Sequence, residues 1–273
     1  MKKIIIITSN SLRHTAFRVF LSNYKGIKVL QTISEKGKNK IKGAIKKKGK
    51  NYLSAAQKEH LLNREQVEKD FFKLYLKKTK DNSKNFYKNY GYSSSKNFLN
   101  NIKKLNPDLI VVYGSSLIKG DILKYFRNKI LNVHLGLSPY YKGSGTNYFA
   151  LVNNKPELVG ATFMFLDNTI DGGKIIHQIR PKIYKNDTVH TIGTRLISEM
   201  FHKYSKIIIN FNKIKKKNNF NPKKIKFFKR KDFTSASLKK LNYNFNNNMI
   251  KKYLKNKKIR DNKFVIIKQS WMK

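Results

Sequence analysis

Lys3-Ile4-Ile5-Ile6-Ile7-Thr8, the turn Ser9-Asn10-Ser11-Leu12-Arg13-His14 and the later run Ile27-Lys28-Val29-Leu30-Gln31-Thr32-Ile33 decide how the chain begins. The first run reads as a buried strand, residues 12–23 as a helix, and 27–33 as a second strand. Two lysines before an apolar run also resemble the start of a signal peptide. That run is only four residues long and polar residues follow at once, so a first strand is the better reading. A β-α-β start suits a doubly wound sheet, whose ligands sit at the carboxyl ends of the strands. The turn 9–14 lies at that end. It lacks the glycines of a phosphate-cradling loop, which counts against a built phosphate site. Arg13 and His14 can take that role as anion contacts, or can be solvated residues of a first helical turn; the residues leave both open.

A chain of 273 residues buries one sizeable core and a smaller appendage. Its longest apolar runs fall short of the eighteen or so residues a membrane helix needs, so no membrane span is expected. Zero cysteine excludes disulfides, thiolate catalysis and cysteine-bound metal, and fits a cytoplasmic enzyme. The six histidines form no His-x-x-x-His or His-Glu spacing, and no metal is expected. The formal charge of +45 invites a nucleic-acid reading. Most of the excess is lysine spread along the whole chain among Asn, Ile, Tyr and Phe, the composition that AT-rich codons produce. Nucleic acid is therefore a possible partner and not the favoured one. The field would still draw anionic substrates, with strong salt dependence.

Further along, residues 36–50 read as a solvated lysine- and glycine-rich loop and 55–77 as a helix. On that helix His60, Arg64 and Glu68 recur every four residues, either as an ordinary polar stripe or as pocket lining. Residues 78–95 read as a mobile connection. After residue 108 come a strand, a short helix over 121–126, and a strand from Ile130. A helix follows over 146–153, then strands over 160–167 and 174–183. A long helix, with Asp187 as N-cap, runs to about residue 210. His177 and His190 have no matched partner pattern and read as structural. From residue 212 the chain is a basic module, with a capped helix near Thr234 and a last strand over 264–269. The expected architecture is a Rossmann-like, doubly wound, mostly parallel α/β sheet over 1–211. A small basic C-terminal module follows over 212–273. A homo-oligomer remains possible.

Chemistry concentrates in two segments. Ile130-Leu131-Asn132-Val133-His134 puts Asn132 and His134 on one face of a strand at its tip. Gly160-Ala161-Thr162-Phe163-Met164-Phe165-Leu166-Asp167 ends in Asn168-Thr169-Ile170-Asp171-Gly172-Gly173. In a chain with only 15 acidic residues, a carboxylate in a glycine-rich turn stands out. A carboxamide, an imidazole and a carboxylate suffice for acyl transfer: one donates to an oxyanion, one handles a proton, one orients the ring. Singly, a strand-end histidine is more often structural, and Asp-Gly is ordinary turn chemistry.

Together the two segments closely resemble the folate-dependent formyltransferase family, which includes glycinamide ribonucleotide, methionyl-tRNA and nucleotide-sugar formyltransferases. The Asn132-x-His134 strand end, Pro139, the Lys142-Gly143 pair, the Gly160-x-Thr162 strand and the Asp171-x-Gly173 turn match its signatures in order. The match is good over 108–199. Gly136 stands where the family often has serine, and Ser138 replaces a leucine. The resemblance implies 10-formyltetrahydrofolate as formyl donor and catalysis by Asn132, His134 and Asp171. It implies a folate site at Tyr113, Gly114, Ser115, Ser116, Leu117 and Ile118 with Leu166 and Asp167, where Leu117 and Ile118 face the ring. The acceptor, an anionic primary amine, is expected at Asn10, Arg13, His14, Tyr140, Lys142 and Asn147. The module after residue 212 is short for the RNA-contacting barrel of methionyl-tRNA formyltransferases. An amino sugar on a nucleotide carrier is therefore the preferred acceptor. A methionyl-tRNA enzyme, or an RNA-binding protein on a formyltransferase scaffold, is the alternative.

Overall fold

The computed structural model describes residues 1–36, 53–215, 220–222 and 224–272. The opening unit is β1 (Lys2–Ser9), α1 (Leu12–Ser22) and β2 (Ile27–Glu35). In chain order there follow α2 (Ala55–Lys78), β3 (Asn85–Lys88), α3 (Lys96–Leu105), β4 (Leu109–Tyr113), α4 (Asp121–Tyr125), β5 (Ile130–His134) and β6 (Tyr141–Gly143). Next are α5 (Thr146–Val152), β7 (Ala161–Phe165), β8 (Ile175–Ile179) and α6 (Val189–Ile209). The chain closes with β9 (Lys226–Phe228), α7 (Ser235–Asn246), α8 (Met249–Lys255) and α9 (Lys257–Asn262).

Seven strands form one sheet in the order β3-β2-β1-β4-β5-β7-β8. The first five are mutually parallel, while β7 runs antiparallel to both β5 and β8. This is the Rossmann-like, mostly parallel α/β sheet. The isoleucine run of β1 serves both layers, because successive side chains leave a strand on opposite faces. Ile4 and Ile6 meet Phe17 of α1 and Leu196 and Met200 of α6 in one core. Ile5 and Ile7 meet Phe98 and Ile102 of α3 and Ile122 of α4 in the other. Strand order reverses across β1, with β2 on one side and β4 on the other. That reversal leaves a crevice above their carboxyl ends.

Leu238, Leu241, Met249, Ile250, Tyr253 and Met272 of the C-terminal segment are buried in the same core as α1 and α6. The Asn244 amide donates to the Leu151 and Val152 carbonyls at 2.9 Å each, tying the C-terminal segment to the end of α5. Thr234 caps α7 with a reciprocal Ser237 bond, as its sequence predicts.

Three expectations are corrected. The connection over 78–95 contains strand β3, whose rings Phe86 and Tyr87 are both half-exposed, so no inside-outside alternation announces it. Residues 264–269 form no strand; that segment lies beside β8, where Gln178 exchanges bonds of 2.7 and 2.9 Å with Ile267. The N-cap of α6 is Thr188, one residue on, because Asp187 is engaged bidentately by Arg195. The expected loop over 36–50 lies outside the described residues except for Lys36.

Candidate active site

The carboxyl ends of β1, β4 and β5 open onto a cleft of about 1100 Å³. Asn132 and His134 leave β5 on the same side, two residues apart, and both line it. Asp171 reaches it from the turn between β7 and β8, with its backbone in the left-handed region at φ 50°. The His134 Nδ1 lies 3.2 Å from Asp171 Oδ1. The other carboxylate oxygen accepts from the Gly143 amide at 2.9 Å, so the acid is held from both sides. The Thr146 hydroxyl stands 3.3 Å from His134 Nε2 and donates to the Leu135 carbonyl.

Burial holds the imidazole below the usual histidine range, against the raising effects of Asp171 and of the Tyr141 carbonyl; nearby Lys142 lowers it further. The ring is thus neutral at physiological pH, and the Asp171 contact assigns Nδ1 as its protonated nitrogen. Nε2 then carries the lone pair.

The loop between β5 and β6 is fixed by a buried network. Thr162 donates to the Gly136 carbonyl at 2.6 Å and accepts from the Ser138 amide at 3.0 Å. Gln178 donates to the Ser138 carbonyl at 2.6 Å. Gly136 is required by proximity, since a Cβ there would fall 2.5 Å from His134 Nε2.

Tyr113, Gly114, Ser115, Ser116, Leu117, Ile118 and Leu166 all line the cleft, as do Asn10, Arg13 and His14. Within that set Ile118 is almost wholly buried, whereas Leu117 is 44% exposed and is the freer apolar face. The remaining residues anticipated for ligands lie elsewhere. Asp167 accepts from the backbone and hydroxyl of Thr169 and shapes its own turn. Tyr140 donates to the Val265 carbonyl at 3.0 Å and packs on Phe220 and Phe264. Asn147 is bound on both ends of its amide to Gly160, at 2.9 and 3.0 Å. Lys142 stands beside Gly172, outside the lining. His60 and Arg64 are also outside it, although Lys58, Leu61, Leu62 and Glu65 of the same helix are in it. His177 accepts from the Gln269 amide, a structural role as expected.

Sequence reasoning missed three contributors. Glu35, 1% exposed, accepts from the Ser93 and Ser116 amides at 3.0 and 2.8 Å and so anchors the 114–118 segment. A carboxylate ending an apolar strand was the available signal. Gly143 acts through its amide, which no side-chain pattern shows. Phe227, Phe228, Lys229 and Arg230, distant in sequence, form one wall of the cleft.

A strand-tip carboxamide, an imidazole paired with a carboxylate, and a cleft at the sheet reversal bring together the groups that acyl transfer needs on a Rossmann-like sheet. The chain belongs to the formyl transferase family, whose profile matches residues 2–208. Enzymes of this family take the formyl group from 10-formyltetrahydrofolate. The methionyl-tRNA formyltransferase of Thermodesulfovibrio yellowstonii is 34% identical over 122 residues, covering 41% of this chain and 39% of that protein. That of Desulforamulus reducens is 36% identical over 104 residues, covering 37% and 32%. The chain therefore aligns with well under half the length of these relatives. Among solved structures, a 4-N formyltransferase from Francisella tularensis superposes with a TM-score of 0.54 at 20% identity, covering 85% of this chain and 78% of that one. Phosphoribosylglycinamide formyltransferase from Anaplasma phagocytophilum superposes with a TM-score of 0.54 at 15% identity, covering 84% and 99%. At such identities these likenesses concern the fold alone. Among the described residues no helix is long and apolar enough to cross a membrane.

Proposed function

We propose that the protein transfers the formyl group of 10-formyltetrahydrofolate to a primary amine carried on an anionic acceptor, with Asn132, His134 and Asp171 as catalytic residues. The observation that carries this reading is the 3.2 Å His134–Asp171 pair facing the same cleft as Asn132. The donor's pterin is assigned to the Tyr113–Ile118 side, beside Leu117 and Leu166. The acceptor is assigned to the side of Asn10, Arg13 and His14, where Lys58, Lys229 and Arg230 supply positive charge and Arg13 is held by Glu68 at 2.7 Å.

The neutral amine attacks the formyl carbon, forming a C–N bond and an oxyanion. The Asn132 carboxamide donates to that oxygen, a contact whose loss costs about 100-fold or more in rate. His134 Nε2 takes the proton released by the amine, while Asp171 holds Nδ1–H and stabilises the resulting imidazolium. The imidazolium returns the proton to the departing folate nitrogen as its bond to the formyl carbon breaks. Because the imidazole acts as a base, activity falls on the acid side of its depressed pKa.

A nucleotide-linked amino sugar is the preferred acceptor, since the 9–14 turn lacks the glycines of a phosphate cradle and the module after residue 212 is short for an RNA-contacting barrel. Methionyl-tRNA is the second reading, favoured by the names of the relatives that align over 104–122 residues. A cytoplasmic location belongs to the same reading, where folate donor and activated acceptors meet. The test is tetrahydrofolate release from 10-formyltetrahydrofolate with nucleotide amino sugars, glycinamide ribonucleotide or charged initiator tRNA. Turnover with an amino sugar, abolished in His134→Ala, is the expected result. Full activity in His134→Ala removes the catalytic assignment; turnover with tRNA alone moves the acceptor.

A further inference from the structure

We infer that the C-terminal strand β9 is a positioning device for the His134–Asp171 pair, acting through strand β6, with Phe228 as its anchor. The inference rests on the site proposed above and gives the basic C-terminal segment a part in its chemistry.

Both members of the pair are tied to β6. The Gly143 amide donates to Asp171 at 2.9 Å, and the Tyr141 carbonyl sits against the His134 ring. Yet β6 belongs to no part of the seven-stranded sheet; among the described residues its pairing partner is β9. The register matches Tyr141 with Lys226, Lys142 with Phe227 and Gly143 with Phe228. Bonds from the Lys226 amide to the Tyr140 carbonyl and from the Ser144 amide to the Phe228 carbonyl, each 2.8 Å, close the two ends of β6. Three residues of β6 cannot hold a carboxylate in place unaided, because so short a strand has few bonds of its own.

Phe228 fixes β9 in turn. Its ring lies parallel to Phe149 of α5, with centroids 4.2 Å apart and planes 2° apart, and stacks on Tyr141 at 5.4 Å. Helix α5 begins at Thr146, whose hydroxyl faces His134 Nε2, so one aromatic stack joins β6, β9 and the helix beside the catalytic ring. At Gly143, φ is +94° and a Cβ would stand 2.1 Å from the Phe228 carbonyl oxygen. The two backbones are therefore too close for any side chain between them. The groups around the imidazole are Asp171, Lys142, the Tyr141 carbonyl and Thr146, and the carboxylate takes the Gly143 amide; none belongs to β9, so the strand works by placement alone.

The test compares Phe228→Ala, Phe228→Tyr and Lys226→Pro in the full chain. Lys226→Pro removes the amide that bonds Tyr140 while leaving the stacked rings in place, and covers the case in which Phe228→Ala folds poorly. Phe228→Ala and Lys226→Pro should each lower kcat by about 10- to 100-fold, the scale of a misplacement near 1 Å, with KM for the donor unchanged. Phe228→Tyr, which keeps the stack, should restore kcat. The second readout needs no acceptor: the imidazole nitrogens of His134 are titrated by NMR in each variant and in Asp171→Asn. Movement of the His134 titration towards that of Asp171→Asn supports the inference. Wild-type kcat overturns it. So does a loss of kcat with a wild-type His134 titration, since that marks general weakening. A wild-type protein inactive on every acceptor tested would fail the proposed function, while the titration still decides this point.

Discussion

A methyl group at Gly136 and one at Gly193 should have opposite consequences. At Gly136 the added carbon would stand 2.3 Å from the Thr146 hydroxyl and 2.5 Å from His134 Nε2, so Gly136→Ala must push the imidazole off its place. A loss of about 100-fold in kcat is expected, on the scale of a misplacement near 1 Å. Circular dichroism should remain that of the folded protein. At Gly193, inside α6, a Cβ meets nothing within 4 Å. Gly193→Ala should therefore stabilise by about 0.5–1 kcal/mol, because glycine loses more backbone freedom than alanine in a helix. Urea denaturation measures it, and an unchanged midpoint would contradict the argument. At this scale the sequence disclosed what spacing encodes: Asn132 and His134 share a face because strand side chains alternate. It could not disclose direction, so Tyr140 and Asn147, adjacent in sequence to the site, turn out to serve Val265 and Gly160.

Helix α2 brings a different behaviour to its element. His60 packs 4.5 Å from His190 of α6, and burial lowers both to about 4, with the Arg64 charge adding to each. An unfolded histidine titrates near ~6.5, so between that value and about 4 the unfolded chain binds more protons than the folded one. Stability therefore rises with pH across this window and is lost as pH falls through it. Urea midpoints measured at about pH 7 and about pH 5 should differ for the wild type, and the difference should shrink in His60→Gln while His190 and His134 keep their share of it. If the variant keeps the full pH dependence, the pair is not its source. The end of β2 gives a second prediction. Glu35→Gln leaves one acceptor where two backbone amides need a carboxylate, at a cost of about 1–3 kcal/mol. Since Ser116 lines the side of the cleft proposed for the donor, KM for the formyl donor should rise with it; KM unchanged would detach Glu35 from the site. Elements with strong period were readable from sequence, β1, α1, β4, β5 and α6 among them. Strands β3, β6 and β9 were not, since each is three or four residues long and depends on a distant partner for its bonds.

For the molecule as a whole, the charge of +45 bears on association more than on folding. Its lysines are spread over the chain, but the cleft gathers Arg13, Lys58, Lys229 and Arg230 against Glu65 and Asp171. Long-range attraction of an anion into such a cleft raises the rate of encounter and weakens as salt screens it, whereas the bond-making step occurs among groups in direct contact. Raising salt from about 50 to about 200 mM should therefore lower kcat/KM for an anionic acceptor steeply and leave kcat nearly constant. The same experiment with a neutral amine separates local from global effects, since no charge is then drawn inward. If kcat/KM for the charged acceptor is flat, the field is a by-product of composition without a part in catalysis. If it falls for the charged acceptor in wild type but much less in an Arg230→Gln variant, the cleft wall formed by residues 227–230 is where the field acts. A uniform fall that no single cleft substitution relieves assigns the attraction to the lysines of the whole surface.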